Sequence, residues 1–159
     1  MSDEATEKAS IIVMSGDLDK VMGAFIIANG AAAFDMQVTM FFTFWGLKAI
    51  QKGTLTGKSL MGRMLGLMNR GGVEAIGPSR LNMGGMGRWM FKKMMRAKNV
   101  APLATLVRQA KEQGVRLVAC EMSCNVMEIR KEDFIDGVEM GGVATFIAEA
   151  SESKFSLFI

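Results

Sequence analysis

Ser10-Ile11-Ile12-Val13-Met14, then Ser15-Gly16-Asp17, then Leu18, Val21, Met22 and Phe25 at helical spacing is the stretch that decides the fold class. The first run is apolar and β-branched at its centre, which reads as a strand buried on both faces. Ser15-Gly16-Asp17 breaks it, and Ser15 and Asp17 both suit the cap of the helix that follows. Alanines fill the helix between its larger apolar residues, so it lies close on a sheet. Gln37 to Phe42 reads as a second strand and Thr43 to Ile50 as a loop with a short helix. Pro102 opens another helix, with Leu103, Leu106, Val107 and Ala110 as its buried stripe and Gly114 at its end. Val115 to Ala119 is a third strand that runs straight into Cys120. A short helix around Met122 to Glu128, a turn at Asp136-Gly137 and an amphipathic helix carrying Val143, Phe146, Ile147 and Ala150 come next. Phe155 to Ile159 reads as a last strand, set inside the sheet. Strands alternating with helices predict an α/β fold with a mostly parallel sheet of about five strands and helices on both faces.

At 159 residues the chain has the length of one domain, and 50% hydrophobic residues supply a core. Two cysteines make no disulfide scaffold, which points to a reducing, cytoplasmic setting. The polar, acidic Met1 to Lys8 is unlike a signal peptide. Val21 to Leu47 carries only the charge of Asp35, but Asn29-Gly30, Asp35 and Gln37 divide it. A buried helix followed by a buried strand accounts for it better than a membrane span, so the protein is expected to be soluble. Residues 52–98 stand apart: ten Lys and Arg face the single acid Glu74, with eight of the sixteen methionines and ten of the eighteen glycines. This insert carries +9 and the remainder −6. Within it, Lys58 to Asn69 fits an amphipathic helix with Leu60, Met61, Met64, Leu65 and Met68 on one side; Met83 to Lys98 is expected to be mobile.

The chain contains no histidine and no tyrosine, which excludes histidine acid–base chemistry, Ser-His and Cys-His pairs and histidine-ligated metals. Two cysteines cannot complete a zinc site, and no metal or cofactor is expected. Gly84-Gly85-Met86-Gly87 and Gly57-Lys58-Ser59 lack the strand and spacing of a nucleotide loop. Cys120 is the chemical candidate. It lies at the carboxyl end of a parallel strand, where ligands bind, and before a helix start that favours a thiolate. A small buried core cysteine is the alternative at this position. Cys124, four residues on, is an accessory thiol about one helical turn away. Met122, Ser123 and Asn125 are expected to wall the same pocket. Ser15, Gly16 and Asp17, with Thr43 and Trp45, end two other strands at the same sheet edge, although capping suffices for Ser15 and Asp17 and burial for Trp45. The insert admits three uses: a solvated loop, a docking surface for an acidic partner or an oligomer, and contact with an anionic membrane surface through Trp89 to Arg96. No nucleic-acid readout motif accompanies its charge.

Ser15 to Lys20, Ala24 to Ala33 and Thr39 to Leu47 resemble the DsrE/DsrF-like (DsrEFH) family, in its stand-alone branch with a Met-rich insert. Ala119 to Ser123, Asp136 to Glu139, Gly141 to Thr145 and Ser156 to Ile159 agree with the same family, in collinear order along one domain. The resemblance implies a three-layer α/β/α sandwich, usually in homo-oligomers. It also implies sulfur trafficking: a sulfurtransferase or carrier cysteine accepts sulfane sulfur as a persulfide and relays it to or from TusA-like or rhodanese-like proteins. That cysteine carries over to Cys120. Cys124 stands where this branch commonly has methionine, which leaves open whether sulfur stays on Cys120 or a disulfide releases it. A redox sensor built on the two thiols, and a non-enzymatic binding module acting through the insert, are the alternatives.

Overall fold

In the computed structural model, residues 6–80 and 82–159 are described. The strands are β1 (Lys8–Val13), β2 (Gln37–Phe42), β3 (Arg116–Cys120), β4 (Val138–Gly141) and β5 (Ser153–Phe158). They form one five-stranded, wholly parallel sheet in the order β4-β3-β2-β1-β5. The helices are α1 (Leu18–Ala33), α2 (Leu60–Met68), α3 (Met86–Ala97), α4 (Leu103–Glu112), α5 (Glu121–Met127) and α6 (Val143–Ser151). A 3-10 helix over Phe44–Ile50 follows β2.

Side chains alternate across a strand, and this sheet uses both sides. Val38, Met40 and Phe42 of β2, with Leu117 and Ala119 of β3, join Phe25 of α1 and Leu106 and Val107 of α4 in the main core. Phe25 and Phe42 meet there with ring centroids 6.0 Å apart. The intervening residues Phe41, Val118 and Cys120 form a second cluster, closed by Phe146 of α6 at 5.6 Å from Phe41. The sandwich is therefore thick under α1 and α4 and thin under α6, which has no buried residue at all.

The charge-poor run from Val21 to Leu47 is α1 followed by β2, as a buried helix and strand. Among the described residues no helix is long and apolar enough to cross a membrane. Four expectations need correction. β5 is an edge strand beside β1 rather than an interior one, and its residues are largely exposed. The stripe expected of α6 is open, with Val143 and Ile147 exposed. Met83 to Lys98 holds the twelve-residue helix α3, because methionine, lysine and arginine all favour helix. α2 exists where expected but faces the other way: Gly62 and Gly66 are its buried residues, while Leu60, Met61, Met64, Leu67 and Met68 point outward.

Glycine decides that orientation. A Cβ at Gly62 would lie 2.2 Å from the Glu128 carboxylate, and one at Gly66 2.4 Å from the Thr56 carbonyl. Only the glycine side of α2 can approach this closely. The Glu128 carboxylate in turn accepts from the N–H groups of Lys58 and Ser59 and from the Ser59 hydroxyl, while Ser59 Oγ caps Gly62 N. Glu128 itself terminates α5 in a left-handed conformation (φ 52°), so the insert is fastened to the helix that begins at Cys120.

Candidate functional site

Cys120 is the last residue of β3 and the N-cap of α5. Its side chain leaves the sheet on the α6 side and is 6% exposed, beside Phe41, Val118 and Phe146. Phe42 pairs with Ala119, so Thr43 leaves β2 next to Cys120. Thr43 Oγ1 lies 2.8 Å from Ser123 Oγ, and Ser123 is fully buried. Burial alone would push the Cys120 thiol up. The Ser123 N–H, the Ser123 and Thr43 hydroxyls and the Met122 N–H together outweigh burial and bring its pKa below the ordinary thiol value. The result is a small, mostly enclosed sulfur whose anion is solvated by protein donors instead of water.

Cys124 lies in a different environment. It is 2% exposed and belongs to the main core with Met127 and Ile129, whereas Cys120 belongs to the cluster under α6. Burial, then the charges of Cys120 and Glu121, push its pKa up to about 12. Both thiols are free. At neutral pH Cys124 is therefore a protonated core side chain.

The residues expected around Cys120 divide into two groups. Thr43 and Ser123 are with it, and Met122 contributes its backbone N–H while its side chain is exposed. Asn125 is exposed on α5. Ser15, Gly16, Asp17 and Trp45 instead line a cleft of about 900 Å³ that does not include Cys120. This cleft opens where β1 and β5 end and has Leu65, Met68 and Asn69 of the α2 region as its other wall. Asp17 occupies the N-cap position of α1, but its side chain makes no cap hydrogen bond. Its carboxylate accepts from Ser15 Oγ at 3.0 Å and pairs with Lys20 at 3.3 Å, so the Asp17 side chain does not cap α1, while Ser15 Oγ accepts from the Asp17 N–H at 3.1 Å where the helix begins. Trp45, expected to be buried, is 46% exposed.

Two glycines lock these loops together. A Cβ on Gly46 would lie 2.0 Å from the Val13 carbonyl, and one on Gly16 2.5 Å from the Trp45 carbonyl. The Gly46 N–H donates to the Met14 carbonyl at 2.8 Å, and Phe44 takes up the sharp turn with φ 46°, a costly conformation for an aromatic residue. Lys48, Lys20, Asn69 and Phe158 line the cleft and were not singled out from the sequence. Lys48 carried the one available signal, as the first cation after the long charge-poor run. Among the described residues, no group of three or more His, Cys, Asp or Glu side chains is placed to hold a metal.

A wholly parallel α/β sheet with a hydrogen-bonded thiol at one strand end defines a class: small thiol proteins without a built-in acid–base partner. The DsrE/DsrF/DrsH-like family model matches residues 5–158, and the chain belongs to that family. It is 42% identical over 158 residues to protein YrkE of Bacillus subtilis, covering 98% of this chain and 99% of that one. It is 35% identical over 158 residues to the sulfur carrier protein DsrE2 of Allochromatium vinosum, covering 96% and 98%. Among solved structures, ychN of E. coli superposes with a TM-score of 0.57 at 11% identity, covering 97% of this chain and all 100% of ychN. MTH1491 of Methanobacterium thermoautotrophicum gives 0.58 at 12% identity, covering 95% and 98%. Both share the fold.

Proposed function

We propose that this protein is a sulfur carrier that accepts sulfane sulfur as a persulfide on Cys120 and hands it to a partner protein in the cytoplasm. The observation that carries the reading is the stabilised Cys120 thiolate at the end of β3, in a chain similar to a protein named as a sulfur carrier. The Cys120 thiolate attacks the outer sulfur of a donor persulfide R–S–SH, and the donor S–S bond breaks. The donor leaves as R–S⁻ with the electron pair of that bond, and Cys120–S–SH forms without net oxidation. No histidine is required, because the leaving thiolate needs no general acid.

Relay proteins of the TusA-like or rhodanese-like kind fit as donor or acceptor, because each presents sulfur on a thiol. Self-association fits the open face of α6, where Val143 and Ile147 stand exposed. Mass determination by light scattering tests it: a monomer at micromolar concentration would contradict it. The sulfur reading is tested by treating the protein with cysteine persulfide, alkylating, and mapping the product by peptide mass. The modification is expected on the Cys120 peptide; its appearance on Cys124 alone, or on neither, would overturn the proposal.

A second reading, compatible with the first, is favoured by the insert. α2 and α3 expose Leu60, Met61, Met64, Trp89, Met90 and Met94, and Lys93 lies 5.2 Å over the Trp89 ring. An acidic partner protein docks on this adaptable basic surface in that reading. Reversing Arg63, Lys93 and Arg96 to Glu should then weaken transfer to the partner while leaving loading of Cys120 intact. Binding to anionic liposomes lost in the same variant would replace the partner protein with a membrane surface.

A further inference from the structure

We infer that the cleft between α2 and the carboxyl ends of β1 and β5 binds an amphipathic organic monoanion, with its head group on Lys48 and its apolar body against Trp45, Met68 and Phe158. The inference is independent of the sulfur reading, since Cys120 lies outside the cleft.

Charge comes first. Lys48 lines the cleft half-buried, with its stem against Gly16 and its ammonium donating to Asn69 Oδ1. Among the described residues no carboxylate comes within ion-pair distance of it. Burial lowers its pKa, and the more distant Asp17 opposes that shift only in part. Lys20, the other cation of the cleft, is paired with Asp17 at 3.3 Å. Among the described residues Lys48 is thus a cleft cation without an ion pair, and removing an ammonium from water without one is costly. A single negative charge on a bound head group would supply the partner that Lys48 lacks.

The apolar part follows from exposure. Trp45, Met68 and Phe158 are 46%, 79% and 67% exposed, yet all three line this one cleft. Its volume of about 900 Å³ is in the range of sites for small organic molecules. The walls are preformed, because Gly16 and Gly46 hold the two loops at backbone contact. The position, outside the carboxyl ends of parallel strands, is where such sheets place ligands.

The test uses the full chain carrying Trp89→Phe, which leaves Trp45 as the sole tryptophan. Decanoate, kept below its micelle concentration, serves as the probe, with decanol and decyltrimethylammonium as controls. Decanoate should change the Trp45 emission saturably and bind about tenfold more tightly than decanol, the value of one charge-assisted hydrogen bond. Lys48→Met, which keeps the stem, should reduce decanoate to the level of decanol, and Lys48→Arg should retain the preference. Cys120→Ser should bind as the parent does. Equal binding of the three probes, no saturable change, or an unaltered decanoate affinity in a folded Lys48→Met variant would overturn the inference.

Discussion

Replacing Ser123 with alanine should raise the pKa of Cys120 and cross its pH–rate profile with that of the parent. Ser123 is fully buried and meets the thiolate with its hydroxyl as well as its N–H. The substitution removes the first donor and leaves the second. A hydrogen bond to a charged acceptor is worth about 1.5–3 kcal/mol, so one lost donor reduces the thiolate share by about tenfold at a pH below both pKa values. Thr43 then loses its 2.8 Å partner, and any reorientation of its hydroxyl toward sulfur keeps the effect at the lower end of that range. In that range alkylation by iodoacetamide should fall less than tenfold, because a more basic thiolate is more nucleophilic; with a Brønsted slope of about 0.45 the net decrease is about threefold. Above both pKa values the order reverses, and the variant reacts about threefold faster. The assay is the alkylation rate from about pH 6 to 10, followed on the Cys120 peptide. A purely structural role for Ser123 would scale the profile up or down without crossing. Superimposable profiles, or a shift to lower pH, would refute the reasoning.

Cys124 carries an alkaline prediction. Its folded pKa, about 12, lies above the ordinary thiol value of 9.0, so its contribution to stability is complete below about pH 9 and is lost as pH rises toward 12. Between those limits urea stability should fall by about 1.4 kcal/mol per pH unit from this group, and Cys124→Val should remove that slope. Glu128→Gln should loosen the start of α2, read as faster amide exchange over residues 58–69. The hydrogen bonds from Ser59 and Lys58 lower the Glu128 pKa, so in the parent this restraint is present above the ordinary carboxylate range and is lost as pH falls through the lowered value. Phe42→Ala empties the centre of the main core beside Phe25 and should cost about 3–5 kcal/mol in urea unfolding. A change below about 1 kcal/mol would mean that the two faces of β2 have been assigned wrongly.

Much of this architecture is legible in local residue patterns. Gln37 to Phe42 is apolar enough on both sides to be read as a strand with its observed bounds, because β2 is central and covered on both faces. β4 is four residues long with Glu139 exposed, too short to show a period, and only the turn at Asp136-Gly137 marked its approach. β5 alternates polar and apolar residues through Lys154-Phe155-Ser156-Leu157, the pattern of a half-covered edge that its closing Phe158 and Ile159 obscured. In α2 the usual rule that large apolar residues face inward gives the wrong side, because Gly62 and Gly66, one turn apart, permit the closest approach. At the site, a strand running into Cys120 was readable. Ser15, Trp45 and Cys120 all follow strand ends at one sheet edge, but a strand order cannot tell which loop turns to the α1 side and which to the α6 side. That is why one expected pocket became two places.

The most direct test of the sulfur-carrier account is intact-mass spectrometry after exposure to a persulfide donor, comparing the parent chain with Cys120→Ser and Cys124→Ser. The account predicts a gain of one sulfur atom in the parent and in Cys124→Ser, and none in Cys120→Ser. A gain that survives Cys120→Ser, or that disappears with Cys124→Ser in a folded protein, would contradict it.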